Sequence, residues 1–165
     1  MGKKSPTSAR KHAAVENLEI AGMRFGPTII LIAEDFLSAA KALDGRARWT
    51  PARTFLACRA VELSLKAFLT LQGITLETLT GGRYSHDLES LLWEADKQGL
   101  GSSVNLDTEM RAEIVRASPY YAEKVFEYPA LVEAAAYPKW PETDRLIAAG
   151  EVLVTTLRPQ CMAAA

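Results

Sequence analysis

Two groups of polar residues in this sequence combine residue types and spacings that ligand binding or catalysis could use. Arg59, Glu62 and Lys66 are three and four residues apart in an otherwise apolar segment, so on a helix they share one narrow face. Further along the chain, Arg83 lies three residues before His86, and Asp87 follows directly. The first group sits on a predicted helix and the second in a turn that follows it, so the two groups could share one polar pocket.

The chemistry open to these residues is phosphate binding and, beyond that, cleavage of RNA without a metal ion. In that reaction a base removes the 2′-OH proton, a cation stabilises the charge on phosphorus, and an acid protonates the leaving oxygen. A histidine titrates near neutral pH, so His86 could serve as the base or the acid. Arg83 or Arg59 could bind the phosphate, and Asp87 could orient the imidazole ring.

The same residues also have a structural interpretation. Glu62 and Lys66 form an i, i+4 pair in the favourable order, which stabilises an exposed helix by about 0.2–0.5 kcal/mol. His86 could pack locally near a helix start, where Asp87 would complement the helix dipole. Arg83 could be a solvated loop residue. Both interpretations stay open, because the sequence does not show whether the groups share a cavity.

The elements that must position these residues are helices. Apolar residues recur at spacings of three and four over residues 28–43 and 51–72, the second with Thr50 as N-cap and Pro51 at the first position. A third helix is predicted after Ser85 as its N-cap, with Leu88, Leu91, Leu92 and Ala95 as its apolar stripe and Gly99 as its stop.

Further helices are predicted along the rest of the chain. One begins near Asp107 and passes a kink or break at Pro119 to reach Phe126, and the last spans about 142–157 before Pro159. Shorter helices are predicted at 13–23 and 130–136. No segment alternates like a strand, so the sequence predicts an all-α antiparallel bundle of four to five main helices.

Length and composition indicate one domain. A chain of 165 residues with 48% hydrophobic content can bury its own core. We expect a disordered basic arm at 1–12, a single helical bundle at 13–158 and a flexible tail at 159–165. The net charge of −1 argues against a domain that depends on a broad basic field to hold nucleic acid.

Other features of the sequence narrow the expected cofactors and location. There is no long apolar span and no secretion-signal core, which predicts a cytoplasmic protein without a membrane segment. Cys58 and Cys161 lack zinc spacing, and we expect no disulfide, metal or cofactor. Aromatic residues near the prolines could stack on bases, but packing at the end of the bundle is the favoured interpretation. They are Tyr120, Tyr121, Tyr128, Tyr137 and Trp140.

Three segments of the chain resemble the HEPN superfamily of helical bundles. The segments are RAVELSLKAFLTLQG, with Glu62 and Lys66; RYSHDLESLLWEA, with His86-Asp87-Leu88; and SPYYAEKVFEYP, a tyrosine-rich helix end. The resemblance covers about half the chain. It implies a bundle of four to five helices, a homodimer, and a role in RNA metabolism, defence, toxin–antitoxin systems or beside a nucleotidyltransferase.

The sequence departs from the ribonuclease members of that superfamily. Their active motif is Arg-x4–6-His, whereas only Tyr84 and Ser85 separate Arg83 from His86. We therefore expect a non-catalytic HEPN-like module that binds a nucleotide, RNA or a protein partner. The alternatives are a divergent metal-independent ribonuclease that uses His86 with Arg83 or Arg59, and a purely structural dimerising protein.

Overall fold

The computed structural model describes residues 25–43, 50–128 and 139–164, and these residues form α-helices and short 3₁₀ helices without a β-strand. The helices are α1 (Phe25–Ala42), α2 (Pro51–Leu71), α3 (Leu76–Thr80), α4 (Leu88–Lys97), α5 (Thr108–Ala122) and α6 (Thr143–Ala163). The all-α bundle predicted from the sequence is thus confirmed, with five main helices and the one-turn α3. The arm predicted at 1–12 and the helices predicted at 13–23 and 130–136 lie outside the described residues.

Helix α2 is the centre of the bundle. It contacts α1, α4, α5 and α6, and its residues from Thr54 to Leu69 are almost all buried. The helix begins as predicted, with Pro51 at its first position and the Thr50 carbonyl accepting the Thr54 amide at 3.1 Å, although the Thr50 side chain makes no cap. Because other helices cover α2 along most of its length, a charged residue that is buried on it needs a partner inside the protein.

The helices around α2 pack through one contiguous hydrophobic core. At Gly150 in α6, a Cβ atom would lie 3.2 Å from Leu37 Cδ1, so the glycine permits the close approach of α6 to α1. None of the described helices has the length and apolarity that crossing a bilayer requires. The largest fully buried apolar side chains are Ile30, Leu65, Leu69, Leu79, Leu88, Leu91, Leu100, Ile114, Leu146, Leu153 and Leu157.

The start of α1 and its buried face differ from the prediction. The helix begins at Phe25, with Pro27 in its first turn, where the missing amide hydrogen costs no intrahelical bond. Ile32 belongs to the apolar pattern of residues 28–43 but is 42% exposed, while Ile30 is fully buried. The buried face of α1 therefore lies closer to Ile30 than the sequence pattern indicates. Helices α2 and α6 both pack against that face.

Helices α4 and α5 also have boundaries that the sequence did not predict. Ser85 is not the N-cap of α4: Asp87 is, and its carboxylate accepts the Ser90 amide at 3.0 Å. Helix α5 continues through Pro119 but ends at Ala122, short of the expected Phe126. Val125 and Phe126 are buried in the turn that follows.

The C-terminal helix is longer than predicted. Pro159 lies inside α6, which extends to Ala163, so the tail expected from 159 is helical over most of its length. A proline in a helix interior costs about 3 kcal/mol, but Leu157 and Cys161 on either side of it are fully buried and hold the segment on the core. Cys58 and Cys161 are free thiols, and burial raises the pKa of Cys161 to about 11.

Candidate functional site

A fully buried carboxylate, that of Glu62 on α2, is the centre of a polar cluster. Lys66 Nζ donates to its Oε1 atom at 2.6 Å, and Arg59 Nη1 donates to Oε2 at 2.8 Å. Tyr121, at the end of α5, donates its hydroxyl to the same Oε2 at 2.5 Å. Three donors from two helices therefore satisfy a charge that would otherwise be costly to bury.

The turn before α4 joins this cluster through Ser85 and His86. Lys66 Nζ donates to the Ser85 carbonyl at 2.9 Å, which ties the turn to α2. The His86 Nδ1 atom is 3.4 Å from Glu62 Oε2, and its side chain is 43% exposed. His86 is thus the solvent-facing member of the cluster, whereas the Lys66 side chain is only 6% exposed.

The electrostatics of the cluster keep Glu62 ionised and Tyr121 protonated. Burial acts to raise the pKa of Glu62, but the charges of Lys66 and Arg59 and the hydrogen bonds outweigh it and hold this pKa below its usual value. Burial and the neighbouring Glu62 carboxylate raise the pKa of Tyr121. The Tyr121 phenol is therefore a hydrogen-bond donor and not a base.

A cavity of about 250 Å³ lies beside the cluster. Phe55 and Arg59 line it from α2, one helical turn apart, and His86 lines it from the turn before α4. Its other lining residues are Tyr121, Lys124 and Glu127, from the end of α5 and the turn after it. The ring centroid of Tyr121 is 5.6 Å from those of Phe55 and His86, so aromatic faces and edges form much of the wall.

The structure brings together four of the predicted site residues: Arg59, Glu62, Lys66 and His86. Arg59 and His86 line the cavity, while Glu62 and Lys66 are buried behind them. Arg83 lies in the 3₁₀ helix Gly82–Tyr84, and its side chain is outside the described part of the structure.

Asp87 lies beside this group but has different partners. Its carboxylate accepts the amide and the hydroxyl of Ser90 and also the hydroxyl of Ser118, which is on α5. It does not line the cavity. Asp87 therefore caps α4 and joins it to α5, whereas the sequence indicated an interaction with the helix dipole or a role in orienting the His86 ring.

Four residues of the cavity were not predicted as site residues. They are Phe55, which is part of the apolar segment around Arg59, Tyr121, for which the sequence favours packing, and Lys124 and Glu127. A signal for Phe55 does exist, because it lies four residues before Arg59 and thus next to it on the helix. No comparable local signal exists for the other three, since they meet α2 only through tertiary packing.

Two of the aromatic residues near the prolines, Tyr120 and Trp140, pack with Phe126 at the end of the bundle, as favoured from the sequence, whereas Tyr121 lines the cavity. Tyr120, Phe126 and Trp140 have ring centroids 5.2–5.8 Å apart, and the Tyr120 hydroxyl donates to the Lys139 carbonyl. Tyr128 is exposed, and Tyr137 lies outside the described residues. Trp93 on α4 is also exposed, with Lys97 Nζ 4.5 Å from its ring centroid.

No group of three or more histidine, cysteine, aspartate or glutamate side chains in the described ranges is arranged to hold a metal ion.

Comparisons with protein-family models, with curated proteins and with solved structures return no match for this chain. The function must therefore be inferred from the site itself.

Proposed function

We propose that this chain is a HEPN-like, non-catalytic helical module that binds one nucleotide unit, either free or within single-stranded RNA, in the cavity beside Glu62. The observation that carries the proposal is the cavity lining, which places the rings of Phe55, Tyr121 and His86 beside the cations Arg59 and Lys124. Aromatic rings stack on bases, and cationic side chains bind phosphates.

The charge balance of the site favours an anionic ligand. Arg59, Lys66 and Lys124 carry three positive charges, against the two carboxylates of Glu62 and Glu127. One positive charge is left over. A phosphate would complete this balance.

The size of the cavity suits a single unit and not an extended ligand. Cavities that enclose drug-sized molecules run from about 300 to about 1,000 Å³. At about 250 Å³ this cavity encloses one base or one phosphate-bearing sugar, with the rest of the nucleotide outside. Further nucleotides of an RNA strand would extend over the surface.

Replacing Phe55 by leucine is expected to weaken nucleotide binding about tenfold, because stacking on one aromatic ring is worth about 1–3 kcal/mol per base. Isothermal titration calorimetry with the four nucleoside monophosphates, and separately with a short single-stranded RNA, measures this. Trp93→Leu is the matched control, since it removes an exposed aromatic ring outside the cavity. Failure of the wild type to bind any of these ligands would overturn the proposal.

The position of His86 supports a second candidate function, metal-independent cleavage of RNA. A hydrogen on Nδ1, 3.4 Å from Glu62 Oε2, would leave Nε2 as the base that takes the 2′-OH proton. Arg59, whose side chain is 30% exposed, would stabilise the charge on phosphorus. This alternative uses a histidine oriented by a carboxylate in place of the Arg-x4–6-His motif.

The two candidates predict different results for labelled single-stranded RNA incubated in EDTA. A ribonuclease requires that the wild type cleaves and that His86→Ala abolishes cleavage with little change in Tm, because the polar contact of His86 with the described residues is a long one, 3.4 Å to Glu62. A binding module requires intact RNA with both proteins. Equal cleavage by both would point to a contaminating nuclease and would contradict the His86 mechanism.

The homodimer and the nucleotidyltransferase or other protein partner stay predictions.

A further inference from the structure

Lys124 lies in the turn that ends α5 and has an unusual backbone conformation. Its φ is 60°, and among the described residues it is the only one other than glycine with a positive φ. The Val125 amide donates to the Tyr120 carbonyl at 2.9 Å, and the Lys124 amide donates to the Tyr121 carbonyl at 3.2 Å. This is the Schellman ending of a helix, and Lys124 occupies the left-handed position that glycine or asparagine normally fills.

The left-handed conformation is unfavourable for a residue with a side chain, because its Cβ approaches the following carbonyl oxygen. Glycine would relieve that strain, so the turn alone gives no reason for a lysine. The side chain of Lys124 does have a distinctive location, since it lines the cavity beside Glu62. Non-glycine residues held in strained conformations are common at ligand sites, where position matters more than stability.

Lys124 differs from the other two cations of the site in its ion pairing within the described part of the chain. Arg59 and Lys66 both donate to Glu62. By contrast, Lys124 is exposed, and no acidic side chain in the described part of the chain forms an ion pair with it. Glu127 lines the same cavity, but as a carboxylate it accepts hydrogen bonds from hydroxyl or amino groups and repels phosphate.

We infer that Lys124 is the phosphate-binding residue of the cavity and that its strained position lowers stability to supply that contact. The ligand class is a nucleoside monophosphate unit, with its phosphate at Lys124, its base against the aromatic wall and its sugar hydroxyls available to Glu127. This inference rests on the proposed nucleotide site and names the residue that distinguishes a nucleotide from a nucleoside.

The test compares binding and thermal stability in the same variants. Titrations with the four nucleoside monophosphates and the four matching nucleosides measure affinity, and differential scanning calorimetry measures Tm. Lys124→Gly is expected to raise Tm by about 2–4 °C and to weaken monophosphate binding on the order of tenfold, with nucleoside binding unchanged. Lys124→Asn, which tolerates the left-handed conformation, should show the same loss of affinity. Lys97→Asn removes a lysine outside the cavity and should leave affinity unchanged.

The outcomes separate this inference from the function on which it rests. If the wild type binds neither nucleosides nor monophosphates, the proposed nucleotide site is wrong. If the wild type binds monophosphates and Lys124→Gly binds them equally well, the site stands and the role of Lys124 is overturned. If the Tm of Lys124→Gly does not rise, the claim that the left-handed conformation of Lys124 lowers the stability of the protein is overturned.

Discussion

Replacement of Glu62 by alanine is expected to lower the free energy of unfolding by about 3–5 kcal/mol, the usual cost of removing one partner of a buried ion pair. Among the described residues, the substitution leaves the buried Lys66 ammonium with the Ser85 carbonyl as its one remaining acceptor. It also removes the hydrogen-bond acceptor of the Tyr121 hydroxyl. Urea denaturation monitored by circular dichroism measures the loss.

Two further variants test whether the loss of stability in Glu62→Ala comes from the unpaired buried charge or from the missing side-chain volume. Glu62→Leu combined with Lys66→Met replaces the ion pair by apolar groups of similar size and should recover the part of the lost stability that comes from the unpaired Lys66 ammonium, although the Tyr121 hydroxyl still lacks its acceptor. Glu109→Ala removes an exposed carboxylate that pairs with Arg145 at 3.5 Å, and little change is expected. A cost below about 1 kcal/mol for Glu62→Ala would contradict the buried, fully paired state of this carboxylate.

The burial of Glu62 and Lys66 also decides which variants can report on ligand binding. Substitution of either residue perturbs α2, the turn before α4 and the end of α5 together, so a loss of binding would follow from a loss of structure. Phe55, His86 and Lys124 are suited to binding experiments because they line the cavity without filling the centre of the cluster. The polar face of α2 is thus both the structural support and the wall of the proposed site.

The sequence predicted the part of this site that depends on local spacing. Arg59, Glu62 and Lys66 share a face because α2 is a regular helix. The segment between α2 and α4 contains α3 and the 3₁₀ helix Gly82–Tyr84, and it returns to the polar face of α2 at Ser85 and His86. Tyr121 is 59 residues from Glu62 in the chain, and only the packing of α5 on α2 brings its hydroxyl to the carboxylate. The left-handed Lys124 was also unpredictable, since the usual glycine signal at a helix end is missing there.

The errors at helix ends have the same tertiary origin. Ser85 and Asp87 are both good N-cap residues, and local propensity does not choose between them. In the structure, the Ser85 carbonyl accepts a hydrogen bond from Lys66. The Asp87 carboxylate, besides capping α4, accepts a hydrogen bond from Ser118 on α5. Pro159 was predicted to end α6, but burial of Leu157 and Cys161 outweighs the local cost of the proline.

Replacement of Asp87 by alanine is expected to lower the free energy of unfolding by about 2–3 kcal/mol. The helix cap at the Ser90 amide is lost, and the buried Ser118 hydroxyl loses the acceptor 2.9 Å away. Asp87→Asn is the matched control, because asparagine also caps helices and keeps a side-chain carbonyl, and its cost should stay below about 1 kcal/mol. Equal losses in the two variants, measured by urea denaturation, would show that the charge and not the cap stabilises α4.

The dependence on pH gives an independent check of the Asp87 contacts. Partial burial acts to raise the pKa of Asp87, but the hydrogen bonds from Ser90, Ser118 and the Glu89 amide outweigh it and hold this pKa below its usual value. A carboxyl group with a lowered pKa stabilises the folded state above its unfolded pKa of about 3.9, and this stabilisation is lost as the pH falls through the folded value. The stability advantage of the wild type over Asp87→Asn should therefore shrink below about pH 4. Glu62 titrates in both proteins, so its own acid dependence cancels in the difference. An advantage that stays constant from about pH 7 down to about pH 2.5 would contradict the preference of these hydrogen bonds for the ionised carboxylate.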